Sequence, residues 1–413
     1  MECLWITLAD PDPATNGQLI YSKGLIESAC NAGLDLCVVG LARSERGVDR
    51  VDGARLAWRL AEERRQPRLR RILSTTPEVA LKSVSERMYR TLDRALRERT
   101  WEAIVFDSIC SGWALEAVRR RCAEYARAPT IVHIAHNHER TVARRIADAS
   151  RGMRRILKEL DALKVARLER RLIAAADLVT SNTPEDCRTF IAEAGGRTVA
   201  FVPPGYGGPR VASRTIGAEV PRRAVVVGSF DWPPKRISLE RFLAAGASIL
   251  AQAGIELQIV GSVDPAYLGS LRARYPSVAF VGPVPDVLPY MASARIALVP
   301  DLLGGFKLKG LDYAFNRIPI LAMRVALPGM PLKDGDSVSY FDSHEALARG
   351  VVAQIDDYAT LNRRQEAAFS ACAARFDWHS VGRHLLDHIA AARRSSAAPA
   401  SEPTTAAVEA AAD

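Results

Sequence analysis

Short apolar runs recur along this chain, with stretches of helical periodicity between them. The first half holds "CLWITLA", "LDLCVVGL", "WEAIVFDS", "PTIVHIAH" and "ADLVTSN"; the second holds "RAVVVGSF", "IELQIVGS", "VAFVGPV", "ARIALVP" and "IPILAM". Runs this short and continuous predict strands buried on both faces. The amphipathic stretches between them, such as Gly17–Ala32, Gly112–Ala126 and Leu239–Ala253, predict the helices that cross from one parallel strand to the next. Two such series predict two α/β domains of the Rossmann-like, doubly wound kind.

The series break at residues 202–223, "VPPGYGGPRVASRTIGAEVPRR", which are rich in Pro and Gly and have no strand or helix period. The reading is a first domain over 1–205, a linker over 206–223, a second domain over 224–376 and a last helix over 377–394. A tail over 395–413 is poor in bulky apolar residues and is expected to be disordered.

Size agrees with this division, since 413 residues exceed what one core normally serves. The seven cysteines form no CxxC pair and several lie in apolar runs, which predicts free core thiols in a reducing compartment. "MECLWITLAD" has no basic leader and reads as a first strand, and no apolar run approaches the roughly 18 residues of a spanning helix. A cytoplasmic protein is expected, able to sit at the inner face of a membrane.

Charge alters the picture in one respect. The net +9 is uneven: residues 1–210 hold 35 Lys and Arg against 27 Asp and Glu, the remainder 21 against 20. An anionic partner of the first half would suit this split, and so would a solvated arginine-rich surface. The most basic stretch, 140–171, is helical and suits an anionic membrane surface, while an ordinary solvated helix has the same pattern. No aromatic residue interleaves its arginines for base stacking, so nucleic acid is not expected.

Candidate chemistry gathers in "DLLGGFKLKGLDYAFNRIPIL", a loop between a strand and a helix. Ligands of open α/β sheets bind at that edge, where a helix start favours an anion. Gly304 and Gly305 allow close backbone approach, Lys307 and Lys309 can neutralise phosphate, and Asp312 can accept from the two hydroxyls of a ribose. Together they describe a nucleoside-diphosphate site; a helix carrying a Lys309–Asp312 pair and no ligand would read the same. A second group, "HIAHNHE", holds His133, His136, His138 and Glu139. A metal cluster there lacks a completing ligand set. His133 falls inside the strand as a core residue, His136 at its end can meet a substrate hydroxyl or serve only the loop, and Asn137 and Glu139 would order the loop. Asp107 ends another strand, where it can touch a bound acceptor or cap a helix, with capping the expected role. Lys235 and Arg236, in "FDWPPKRIS", can add charge near a diphosphate or remain solvated.

Taken in order, "VPPG", "VVVGSFDWPP", "LQIVGS", the segment from "FVGPVPDVLPYM" to "NRIPILA", and "RFDWHSV" resemble the donor domain of GT-B glycosyltransferases, notably retaining family 4 (glycosyl transferase group 1). "PDPATNGQLIYSKGL", "IVFDS" and "IVHIAHNHE" resemble its N-terminal domain, so the resemblance covers roughly residues 1–390. It implies a GT-B fold with a cleft between the domains and a last helix crossing back to the first. It implies sugar transfer from a nucleotide donor, UDP- or GDP-linked, to a hydroxyl of a glycan, lipid-linked or small-molecule acceptor in cell-surface polysaccharide or glycoconjugate synthesis. It further implies retention of configuration by a front-face route, with no metal and no other cofactor. Carried over, Asp312 takes the ribose-binding glutamate's place, Lys307, Lys309 and Gly305 sit by the diphosphate, and Gly228 and Ser229 belong to the first donor-domain loop. Gly17 is the glycine that lets the N-terminal loop reach the donor, and His136 lies by the sugar and acceptor. Three departures stand out: Gly304 replaces an acid, Asp312 is one methylene short, and Asn16–Gly17 supplies one glycine where two are common. They keep open a second reading, a catalytically weak glycosyltransferase-like protein that binds nucleotide sugars.

Overall fold

The computed structural model describes residues 1–43, 49–62, 74–302 and 305–397; Gly304 and the tail from residue 398 lie outside the described residues. Fourteen strands among these form two sheets. The first comprises β1 (Glu2–Ala9), β2 (Asp35–Ala42), β3 (Asp49–Asp52), β4 (Leu56–Glu62), β5 (Ala103–Asp107), β6 (Thr130–Ala135), β7 (Leu178–Ser181) and β8 (Thr198–Phe201), in the order β3-β4-β2-β1-β5-β6-β7-β8. The second comprises β9 (Arg223–Val227), β10 (Glu256–Val260), β11 (Val278–Gly282), β12 (Ile296–Val299), β13 (Ile320–Met323) and β14 (Ser339–Phe341), in the order β11-β10-β9-β12-β13-β14.

Every pairing is parallel except β3 with β4, which run antiparallel at the edge of the first sheet. The all-parallel expectation missed that hairpin because "DRVD" has no buried face: its residues are exposed or half-exposed. Apart from the β3–β4 hairpin at its edge, the order of each sheet reverses at one point, between β1 and β5 and between β9 and β12. Crevices open at such points beyond the carboxyl ends of the strands.

Among the helices that cover these sheets are α1 (Gly17–Asn31), α2 (Glu139–Asp148), α3 (Gly152–Ala175), α4 (Pro233–Gln252), α5 (Leu308–Phe315) and α6 (Trp378–Ala397). Alternation along β1 divides the first core. Cys3 and Trp5 face α1 and α6, packing with Leu25, Ile26, Val381, Leu385 and Ile389. Leu4 and Ile6 face the other side with Phe106, Leu92 and Leu168. Residues 395–397, expected in the tail, continue α6. The chain crosses between the sheets twice, and the crossings touch: Tyr206 N donates to Phe376 O at 3.0 Å. A side chain at Gly24 or Gly205 would collide with the Trp378 ring, so these two positions need glycine for close approach. All seven cysteines are free. Among the described residues no helix is long and apolar enough to cross a membrane.

Candidate functional site

The second sheet's crevice is bounded by the loops after β9 and β12. Beyond β12, Asp301 is buried and forms an ion pair with Lys309, which is itself buried on the first turn of α5. Lys307, the residue that precedes α5, donates from Nζ to Gly305 O at 2.6 Å. Lys235, from the first turn of α4, adds charge felt by both Asp301 and Lys309. Leu302 N donates to Ser238 Oγ at 3.1 Å, pinning the loop after β12 to α4.

One buried carboxylate thus pairs with Lys309 and feels the charge of two further ammonium groups, Lys307 and Lys235. Burial alone would raise Asp301, yet Lys309 and Lys307 hold it below the usual carboxylate range. Burial pulls the Lys307 ammonium down to about 8, with Asp301 opposing and Lys309 adding to the effect. Lys235 is lowered as well, first by burial and then by Lys309. A cluster with surplus positive charge is stabilised by a bound anion. Lys309 therefore pairs with Asp301 and not with Asp312. Asp301 was the residue missed in sequence; its only signal there is an acid placed directly beyond a strand end.

Asp312 lies one turn into α5 and is half-buried. Burial raises its carboxyl to about 6, offset in part by the Tyr206 hydroxyl. That hydroxyl also faces Pro209 O at 3.1 Å and accepts from Asn316 Nδ2 at 3.2 Å. Gly228 and Ser229 lie at the end of β9. The Gly228 N–H is committed to the sheet, donating to Val260 O at 3.0 Å, and Ser229 Oγ lies 3.5 Å from Asp231 Oδ2. Arg236 turns away from the cluster: its Nε donates to Phe230 O at 2.7 Å and its guanidinium covers the Tyr267 ring at 4.7 Å.

The opposite wall is built at the ends of β5 and β6. Asp107 is fully buried and caps no helix. One oxygen lies 2.7 Å from His136 Nε2; the other accepts from Trp5 Nε1 at 3.1 Å and Thr7 Oγ1 at 2.9 Å. Burial pushes Asp107 up, but His136, Trp5 and Ser22 bring it below its ordinary value. Tyr21 meets the imidazole edge-on at 5.0 Å between centroids and is fixed by its hydroxyl to Val202 O at 2.6 Å. The ring of His136 is thereby held on two sides. His133 sits in the strand, 3.3 Å from Phe106 O, and burial lowers it to about 4. His138 lies 2.6 Å from Thr141 Oγ1 and 3.4 Å from Glu193, facing away from Asp107 into the start of α2.

The walls meet. Gly305 N donates to Asn137 Oδ1 at 2.8 Å, and a side chain at Gly305 would come within 2.8 Å of His136 O. A side chain at Gly17 would meet Leu308 at 3.7 Å. Asn137 also donates to Glu139 at 2.9 Å, so it orders its loop and joins the domains together. Asn182, buried at the same junction, has an amide oxygen with no hydrogen-bond partner among the described residues. Gly17, His136, Gly305 and the start of α5 with Lys307 thus come together across one cleft. Gly228 and Ser229 follow β9 at the carboxyl edge of the second sheet, while Asp312 lies a turn further along α5 beside Tyr206. Among the described residues no group of three or more His, Cys, Asp and Glu is placed to hold a metal ion.

Comparison with known proteins places this geometry. Residues 221–357 match the family model of glycosyl transferases group 1. The chain is 25% identical over 320 residues to D-inositol 3-phosphate glycosyltransferase of Acidothermus cellulolyticus, covering 71% of this chain and 68% of the relative. Among solved structures, sucrose-phosphate synthase from Thermosynechococcus elongatus superposes with a TM-score of 0.72 at 18% identity, over 96% of this chain and all of that one. Alr3699/HepE of Anabaena, solved with UDP and glucose, superposes with a TM-score of 0.61 at 12% identity, over 95% of this chain and all of that one. The chain has the GT-B architecture of two Rossmann-like domains around a cleft and, through residues 221–357, is related to the group 1 glycosyl transferases.

Proposed function

We propose that this protein transfers a sugar from a nucleoside-diphosphate donor to an acceptor hydroxyl, with UDP as the donor's nucleotide. The observation that carries the reading is the pair of buried lysines, Lys307 and Lys309, beside Asp301, with half-buried Lys235 adding charge, joined through the Gly305–Asn137 contact to the loop that carries His136. Relatives solved with UDP share the fold, which supports the choice of nucleotide.

In this reading the diphosphate lies against Lys307 and Lys309 at the start of α5, and the ribose hydroxyls reach Asp312. The bond between the anomeric carbon and the phosphate oxygen breaks with its electron pair leaving on the diphosphate, where the lysines stabilise the charge as it develops. The acceptor oxygen bonds to the anomeric carbon and its proton passes to the departing phosphate oxygen. His136, oriented by Asp107, holds a sugar hydroxyl or the developing charge. The unpartnered Asn182 amide oxygen accepts from another hydroxyl. Both oxygens of Asp107 are engaged by Trp5, Thr7 and His136, which disfavours it as a covalent nucleophile and favours retention by a front-face route.

The test is a thermal-shift and turnover screen with purified protein. UDP should raise the melting temperature, and UDP-sugars should release UDP when an acceptor is present. A protein unmoved by millimolar UDP or GDP would refute the site; one that binds UDP but turns over no UDP-sugar would leave the weak binding protein as the reading.

A further inference from the structure

The α2–α3 hairpin leaves the site loop directly, for α2 begins three residues after His136. The C-terminal half of α3 is a core helix, burying Val165, Leu168 and Leu172. Its N-terminal half is not. Met153, Ile156, Leu157, Leu160 and Leu163 are 71%, 52%, 45%, 52% and 69% exposed. They are five of the eleven large hydrophobics exposed among the described residues, gathered into three turns of one helix. At about 100° per residue they share an arc of about 120°; the buried residues of α3 take a second arc that begins beside Leu157, at Leu168, and is centred about 150° from the first. The stripe is therefore a second apolar face, not the margin of the core.

The same arc continues C-terminally as Lys164, Arg167 and Arg171, a turn apart. Around it the surface is basic: residues 139–171 hold 11 Lys and Arg against 5 Asp and Glu, a surplus of 6 that falls to 3 once Glu193, Glu78 and Glu116, ion-paired with Arg140, Lys158 and Arg171, are counted, while Arg154 and Arg167 keep their charge on this face. A second copy of this chain seated on the stripe would oppose two such surfaces, whereas an anionic surface would neutralise them.

We propose that this face of α3, together with the basic residues of α2, docks reversibly on an anionic lipid surface. The apolar stripe enters the headgroup boundary and the arginines lie against lipid phosphates, as amphipathic basic helices do. The docking does not depend on the activity proposed above. Only its corollary rests on that reading: with the hairpin seated, the loop carrying His136 lies near the surface, where a lipid-linked acceptor would be presented.

The experiment is flotation of the full chain with vesicles of phosphatidylcholine alone or with one third phosphatidylglycerol. The wild type should float with the anionic vesicles, sink with the neutral ones, and lose binding as salt rises. The variant I156Q/L160Q/L163Q should lose more than about 100-fold in partition, since each leucine-sized side chain buried is worth about tenfold or more. Its thermal shift with UDP should stay unchanged, which separates loss of docking from loss of the nucleotide site. If that variant does not fold, R154E/R167E should show the same loss on anionic vesicles. Equal flotation with both vesicle types, no flotation, or variants that float like the wild type would overturn the proposal. So would a wild-type dimer in solution that the triple variant converts to a monomer, which would make the stripe a self-interface.

Discussion

Lys307 offers a sharp test of the proposed anion site, because its burial should couple nucleotide binding to proton uptake. Its ammonium donates to Gly305 O, and burial brings its pKa to about 8. In the unfolded chain a lysine titrates near 10.4. The folded value is depressed, so the charged form is disfavoured on folding. That cost is fully present below pH 8 and fades as pH rises from about 8 to about 10.4, and over this window folding stability gains relative to a Lys307→Met chain. A bound diphosphate reverses the situation by restoring a partner for the charge, which returns the pKa toward its ordinary value. From those two values UDP affinity should fall about tenfold, or about 1.4 kcal/mol, between pH 7 and pH 9. Binding at pH 9 should take up about 0.9 proton per UDP. The nucleotide contributes little, because phosphate second ionisations lie near pKa 6 and are complete in this range. Titration calorimetry at pH 7, 8 and 9, in paired buffers of different ionisation enthalpy, measures affinity and proton count together. Lys307→Met should bind more weakly at pH 7 and lose the dependence. An affinity that changes less than twofold without proton uptake, or a Met variant that keeps the dependence, would show that Lys307 does not meet the diphosphate.

Other perturbations follow from the same geometry. His136→Ala should lower kcat by about 10²–10³-fold with UDP affinity nearly unchanged, and Asp107→Asn should lower kcat and move its pH profile, since the imidazole loses its partner; weaker UDP binding by either variant would contradict this. Asp312→Asn should weaken UDP binding. Because the Asp312 carboxyl is raised to about 6, above about 3.9 in the unfolded chain, the wild type loses stability as pH rises between those values. The Asn variant should therefore melt higher than wild type at pH 7.5 and not at pH 4, and the same difference at both would refute the buried carboxylate. Gly24→Ala drives a methyl into the Trp378 ring and should cost about 1–3 kcal/mol in urea unfolding; an unchanged midpoint would mean that Trp378 does not pack there.

The strands were legible because their residues need no long-range partner to declare themselves. "RAVVV" and "AIVFD" are apolar on both faces, and only a covered parallel sheet buries such runs. The loop before α5 was legible through its glycines and lysines. What escaped depends on contacts distant in sequence. Asp107 and His136 lie 29 residues apart, and Gly305 reaches Asn137 across 168. Asp301 becomes informative only once Lys309 folds back on it. In α3 the difficulty is different: apolar residues lie on one face in its first half and on another in its second, so a single helical period cannot describe both. Periodicity showed a helix there, but not that half of its apolar surface is left uncovered.

The return of α6 to the first sheet has a consequence for the order in which the molecule can assemble. Val381, Leu385, Ile389 and Ala392 complete a core whose other members lie between Cys3 and Val202. On the ribosome the segment containing β1 to β8 emerges first, yet its groove beside α1 stays unfilled until nearly the whole described chain has been made. The second sheet draws its core from a contiguous span, Ile216 to Phe376, and can close while the first still waits. The half made first is thus finished last, and a chain truncated before Trp378 would carry a completed second half joined to a first half with one face of its core still open to water.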